Sequence, residues 1–181
     1  RAVAPGARPN GGMATTADSP RPGTTGGVLA ARKSAFGAKG TVTAGNACPL
    51  NDGAAAVVVM SERRAKELGI KPLARVVSTG LTGLEPEFMG LGPIEASRQA
   101  LARAGMSIDD VGVVELNEAF AAQVIPAARG IGIDPFDDRL HPHRGALPLG
   151  PPFGITGGRI PCPLPTPLPT PPAPLTLAHR S

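Results

Sequence analysis

Val111-Gly-Val-Val-Glu-Leu-Asn-Glu-Ala-Phe-Ala-Ala-Gln-Val-Ile125 is the stretch on which the fold turns. Its opening run, Val111 to Leu116, is apolar, valine-rich and of strand length, and from about Ala119 the pattern becomes that of a helix. Asn117 and Glu118 therefore stand at the carboxyl end of a strand, just before a helix. In open α/β sheets that edge is where ligands bind. Pro126 falls inside the helical pattern and is expected to end or kink it near Ile125, because proline lacks the N–H and crowds the preceding turn.

Upstream, the chain repeats this alternation of strand and helix signals. Ser107 with Asp110 resembles a weak capping box. Pro93 suits the first position of a helix running to about Ala104, and Gly105 suits the residue after its end. Gly80 to Gly92 reads as a long loop. Leu73 to Thr79 is a β-branched segment expected to form a strand, and Ala54 to Met60 reads as a strand buried on both faces. Between them, Ser61 caps a short helix over Arg63 to Leu68 that Gly69 stops. Gly40 to Gly53 is a turn-rich loop, and Val28 to Phe36 holds one helical turn or two. The order predicts an α/β fold with a parallel or mixed sheet.

The 181 residues suffice for one domain, and a hydrophobic content of 41% permits a real core. The periodic Val, Ile and Leu lie between about Gly40 and Ile133, whereas much of the 22 Pro and 24 Gly sits at the ends. The division expected is a loop or disordered flank over 1–27, a domain over 28–160 and a proline-rich, disordered tail over 161–181. The formal charge of +4 invites a nucleic-acid reading. Its placement opposes one: Arg1, Arg8, Arg21, Arg32, Lys33 and Lys39 lie in the loose N-terminal part, and the chain has no Trp or Tyr for stacking on bases. Cys48 and Cys162 form neither a disulfide framework nor a metal-ligand spacing, so a reduced, cytoplasmic setting is the default. With no apolar run of spanning length, a soluble protein without a membrane partner is expected. The first residue is Arg1 rather than Met, which suggests a truncated frame or a processed piece.

Three blocks carry a resemblance that composition does not supply. Gly40-Thr-Val-Thr-Ala-Gly-Asn-Ala-Cys-Pro-Leu-Asn-Asp-Gly-Ala-Ala-Ala56 resembles the loop and strand that line the coenzyme A site of thiolases. Met89-Gly-Leu-Gly-Pro93 resembles the family's loop before a helix, and Glu115-Leu-Asn-Glu-Ala-Phe-Ala-Ala-Gln123 its Asn-Glu-Ala-Phe signature. The likeness runs from about Asp18 to Ile160. It implies an incomplete thiolase-like layered fold with a mixed sheet, spanning the end of one α/β half and the start of the next, without the earlier half where the nucleophilic cysteine lies.

Thiolases transfer an acyl group to and from coenzyme A through an acyl-cysteine. The resemblance implies acyl-CoA substrates, no metal or redox cofactor, and either a homo-oligomer or pairing with a complementing thiolase half. It implies that Asn117 is catalytic, holding the water that stabilises an enolate-like oxygen. It further implies that Ala44, Cys48, Met89 and Phe120 contact coenzyme A. The stretch Arg144-Gly-Ala-Leu-Pro-Leu-Gly-Pro-Pro-Phe-Gly-Ile-Thr-Gly-Gly-Arg159 resembles the family's histidine segment, with Pro151 in the histidine's place. Proline cannot ionise, so acid/base help worth roughly 10²- to 10⁴-fold is lost at that position. His141 and His143 stand nearby as substitutes. After Ile160 the likeness stops, and Cys162 lacks the glycine-rich setting of the family's terminal cysteine. The chain by itself is therefore expected to be inactive, with a binding or scaffold module, or a degraded gene product, as the alternatives.

Each of these residues also has an ordinary structural reading. An isolated Asn117 is a turn or cap residue, Asn51 and Asp52 beside Gly53 are turn formers, and Met89 and Phe120 are core residues. Cys48 has no base nearby to activate it and is better read as a small cleft-lining residue than as a nucleophile.

Overall fold

The computed structural model describes residues 6–7, 10–14, 23–50, 54–142 and 176–179. Short strands β1 (Gly6–Ala7) and β2 (Met13–Ala14) pair antiparallel where the sequence reading expects loop or disorder. Helix α1 (Gly26–Ala30) follows, capped by the Thr25 hydroxyl, which accepts from the Val28 N–H. Helix α2 (Glu62–Glu67) begins where serine predicts it: Ser61 Oγ accepts from the Arg64 N–H at 3.2 Å, and Gly69 leaves the end at φ +65°.

Helix α3 (Gly92–Ala104) starts at the expected proline and stops at Gly105, whose φ of +67° is the left-handed conformation that a helix end needs and glycine supplies without strain. A 3-10 segment over Pro86–Leu91 leads into it, in the stretch expected as loop. The Ser107–Asp110 box is formed in both directions around the 3-10 turn Ile108–Asp110. Strand β3 (Val113–Leu116) then runs into helix α4 (Ala121–Ile131).

β3 pairs parallel with β4 (Thr176–His179), and Val114 bridges Leu140 in parallel on the other side. The parallel pairing agrees with an α/β fold. β4 departs from the disordered tail expected over 161–181. Beyond Pro174 the chain carries no further proline, so every residue of Thr176–His179 keeps its N–H, and Leu177 is buried against the core. The rest of that expected tail, with Cys162, lies outside the described residues.

The core lies between β3 and α4. Val114 and Leu116 from the strand meet Val124, Ala127, Ala128 and Ile131 from one helical face, with Val111, Ile133 and Leu177 closing the cluster. Ile94 and Leu101 of α3 pack onto its outside. α3 and α4 approach closely at Gly130, where a Cβ would run into the Ile94 side chain.

Two strand expectations fail. Ala54–Met60 and Leu73–Thr79 are irregular, and their large apolar residues face outward, with Val58 86% and Leu73 82% exposed. A β-branched run becomes a strand only when a neighbour accepts its ladder, and these two have none among the described residues. The second run is instead pinned along α3: Ser78 Oγ donates to the Ala100 carbonyl at 2.6 Å, and Arg103 donates to the Thr79 carbonyl.

Pro126 neither ends nor visibly interrupts α4, which continues to Ile131. Pro126 and Ala122, the residue one turn before it, both lie on the exposed face. The carbonyl deprived of its donor there has access to water, which lowers the cost of the missing hydrogen bond.

Candidate functional site

The carboxyl end of β3 is where the loop carrying Cys48 meets the strand-to-helix junction. Cys48 N–H donates to the Ala119 carbonyl at 3.0 Å, and Ala121 N–H donates to the Asn46 carbonyl at 2.9 Å, so that Ala47 and Phe120 form an antiparallel bridge. The loop is shaped for this by Asn46, whose Oδ1 accepts from the Thr43 N–H at 2.7 Å and whose amide donates to the Thr41 carbonyl at 2.9 Å. Asn117, buried at 8% exposure, immediately follows β3 and lies two residues before the Ala119 carbonyl that holds Cys48.

Beside this join is a cavity of about 280 Å³. Val42, Phe88, Met89, Leu91, Phe120 and Pro126 give it apolar walls, and Glu87 and Gln123 are its polar side chains. Phe120 is fixed by an edge-on contact with Phe36 at 5.9 Å between ring centroids. Of the five residues proposed from sequence, Met89 and Phe120 line this space together. Ala44 is exposed on the adjoining loop, and Ala44, Cys48 and Asn117 do not line the cavity. Burial pushes the Cys48 thiol above its ordinary value, opposed by a hydrogen bond involving its own backbone. That is the opposite of what a nucleophilic thiolate needs.

Sequence reasoning passed over one residue and took another only for a substitute base. Gln123 is 8% exposed, and neither amide atom has a hydrogen-bond partner. The signal was its register: Gln123 lies one helical turn before Ala127, on the face that builds the core. The second is His141, which adopts a left-handed backbone at φ +54°. Its Nδ1 lies 3.4 Å from Glu115 Oε2 and its Nε2 3.6 Å from Glu118 Oε1, all three side chains being largely buried. His141 thus spans from β3 to the residue after Asn117. The loop bearing it is held to β3 by the His141 N–H donating to the Val114 carbonyl at 3.0 Å. Arg139 holds it from the other side, donating to the Ile108 and Val111 carbonyls while paired with Asp137. His143 and Pro151 lie outside the described residues. Among the described residues, no cluster of three or more His, Cys, Asp or Glu could hold a metal ion.

The thiolase C-terminal domain matches residues 70–170, more than half of the chain, and the thiolase N-terminal domain matches residues 4–63. The chain belongs to the thiolase family.

Among curated thiolases, the 3-ketoacyl-CoA thiolase of Shigella dysenteriae is 51% identical over 142 residues, which is 77% of this chain and 37% of the relative. That of Photobacterium profundum is likewise 51% identical over 142 residues, again 77% of this chain and 37% of the relative. The chain thus spans little more than a third of the curated thiolases it matches. Among solved structures, the Bacillus anthracis acetyl-CoA acetyltransferase superposes with a TM-score of 0.82 at 38% identity, over 90% of this chain and 42% of that one. Human mitochondrial 3-ketoacyl-CoA thiolase in complex with CoA gives 0.79 at 39% identity, over 85% and 38%. The thiolase likeness bears out the α/β fold.

Proposed function

We propose that this chain forms the coenzyme A-facing wall of a thiolase-type acyl transferase, the reaction being acetyl-CoA plus acyl-CoA to 3-oxoacyl-CoA plus free coenzyme A, or its reverse. The observation that carries the reading is the cavity at the end of β3, lined by Met89 and Phe120 and flanked by the Cys48 loop joined to Ala119. In this role Asn117 orients the water that stabilises the enolate-like oxygen, and hydrogen bonding in a site shielded from bulk water is what such an oxygen requires. Met89 and Phe120 contact the thioester-bearing arm, with Ala44 and Cys48 on the loop beside it. No metal or redox cofactor takes part, and a cytoplasmic homo-oligomer is the proposed form.

The 181-residue chain alone does not turn over. Pro151 stands where the family's histidine is expected, and the Cys48 thiol is shifted away from the thiolate. The purified chain, incubated with acetoacetyl-CoA and coenzyme A, is expected to bind coenzyme A in a calorimeter without loss of the enolate absorbance. Thiolysis by the chain alone would contradict the inactivity, and absence of binding would contradict the coenzyme A wall.

A second reading, a module without turnover that pairs with a complementing thiolase half, is favoured by the outward-facing runs Ala54–Met60 and Leu73–Thr79. Such apolar surface is suited to cover by another segment. Co-expression with an N-terminal thiolase half separates the two: restored thiolysis marks a split enzyme, and a stable complex without thiolysis marks the module.

A further inference from the structure

The loop after α4 sets an imidazole between two glutamates. His141 Nδ1 lies 3.4 Å from Glu115 Oε2 and Nε2 lies 3.6 Å from Glu118 Oε1, with the three side chains 10%, 7% and 13% exposed. The second approach is an ion-pair separation rather than a hydrogen bond. Among the described residues neither Nε2 nor Glu115 Oε1 has a hydrogen-bond partner.

The donor inventory fixes how many protons this trio needs. A neutral imidazole has one N–H and one lone pair, so with two carboxylates beside it one nitrogen turns a lone pair toward a carboxylate and is repelled. Attraction on both sides requires a proton in each contact. That is met by a doubly protonated ring between two carboxylates, or by a neutral ring with one glutamate protonated. Both hold the same total, one proton more than a neutral ring with two carboxylates, and that proton belongs to the trio as a unit.

Three segments are tied together in this way. Glu115 belongs to β3, Glu118 stands between Asn117 and the Ala119 carbonyl that accepts from the Cys48 N–H, and His141 follows Leu140, which bridges Val114. The left-handed backbone of His141, at φ +54°, is uncommon for a residue with a side chain. It is held there by the His141 N–H on the Val114 carbonyl and the Val114 N–H on the Arg139 carbonyl, at 3.0 and 2.8 Å. Glu115 and Glu118 are the acidic groups within ion-pair distance of the ring among the described residues. On the same loop Asp137 is paired with Arg139 and Asp138 is exposed; in the 3-10 turn Asp110 accepts from Ser107. Helix α4 has no acid in its first turn, and on β4 His179 stands opposite Leu116, one position along from Glu115.

We infer that His141 is a positioning residue for the strand-to-helix junction, and that one proton shared with Glu115 and Glu118 holds the junction closed. Loss of that proton sets a lone pair against a carboxylate inside the packed junction, which loosens the turn from Asn117 to Ala119 and with it the Cys48 loop. The closed junction holds one more proton than the open one, so its protection is greatest at the acid end of histidine's range and falls as pH rises. This latch stands whether or not coenzyme A occupies the neighbouring cavity.

Amide exchange of the full chain tests it. The Cys48 N–H donates to the Ala119 carbonyl and the Ala121 N–H to the Asn46 carbonyl, so both report whether the junction is closed. Corrected for the intrinsic base catalysis of exchange, their protection is expected to fall between about pH 5 and 8, with a limiting slope of about one decade per pH unit for one proton. The Ile133 N–H, bonded to the Ala128 carbonyl at the far end of α4, should show no such fall. His141→Asn tolerates the left-handed backbone and cannot titrate. It should abolish the slope while the other two of the three histidines, His143 and His179, remain. Glu118→Gln sets an NH2 donor toward Nε2, making both contacts attractive without the shared proton, and its junction should stay protected across the same range.

A slope that survives His141→Asn, or wild-type protection that does not change with pH, would overturn the inference. An equal fall at Ile133 would mark unfolding of the whole core and overturn the local latch. Should the histidine variant fail to fold, Glu118→Gln decides alone, since a junction that still loses protection as pH rises has no shared proton holding it.

Discussion

Cys48 is tied to Ala119 at the hydrogen-bonded join after β3, two residues beyond Asn117. Because burial raises the Cys48 thiol, less of it is thiolate at neutral pH than for an ordinary cysteine. In a Cys162→Ser chain, alkylation by iodoacetamide should therefore be slower than for a model thiol at pH 7, with its inflection at higher pH; a faster rate would reverse the assignment. Asp110 shows the opposite shift, held below its usual range first by the Ser107 backbone N–H at 2.8 Å and then by the Ser107 hydroxyl. A carboxylate depressed in the folded state contributes stability above its unfolded value, about 3.9, and loses it as pH falls through the depressed one. Asp110→Asn should flatten that acid limb in pH-dependent thermal unfolding and leave its shape near neutrality unchanged. The position of Asn117 at the end of β3 was legible in the sequence because the change from strand to helix pattern is local. The packing of Gln123 and the carboxylates around His141, which the sequence offered only as a substitute base, were not, because distant segments supply them: Gly90 beneath the glutamine, and Glu115 and Glu118 around the imidazole.

Helices were legible to the extent that their ends carry their own chemistry. Ser61, Pro93, Gly69 and Gly105 act on neighbouring backbone groups, so α2 and α3 begin and end close to where those residues predict. Ser61→Ala is expected to cost about 0.5–2 kcal/mol, confined to α2 and seen as faster amide exchange there. Strands lack such local markers. β3 forms because β4 and Leu140 accept its hydrogen bonds, whereas Ala54–Met60 and Leu73–Thr79 carry similar residues and form none. A paired comparison checks this difference by urea unfolding. Leu116→Ala, at 1% exposure, should cost about 2–5 kcal/mol, and Val58→Ala, at 86% exposure, should stay within about 0.5 kcal/mol. A large loss at Val58 would place that run in a buried sheet. Pro126 was misread for a related reason: its penalty depends on whether the deprived carbonyl reaches water, and only the helix orientation decides that.

At the scale of the molecule, the described residues combine a core built on β3 and α4, with α3 packed against it, and apolar runs that face outward. The family likeness accounts for the α/β arrangement of the core. The exposed valines mark where further surface has to be covered, and Val57→Lys with Val59→Lys should raise the concentration at which the chain associates, as read by sedimentation. Among the described residues no helix is long and apolar enough to cross a membrane, so association through these runs is not through a spanning helix. The central claim is that coenzyme A occupies the cavity at the end of β3, and methyl-labelled methionine resolves it directly. Of the four methionines, Met89 lines that cavity and Met60 lies in the outward-facing run. Titration of the labelled chain with coenzyme A should shift the Met89 methyl signal saturably while Met60 stays still. A silent Met89, or shifts confined to Met60, would contradict it.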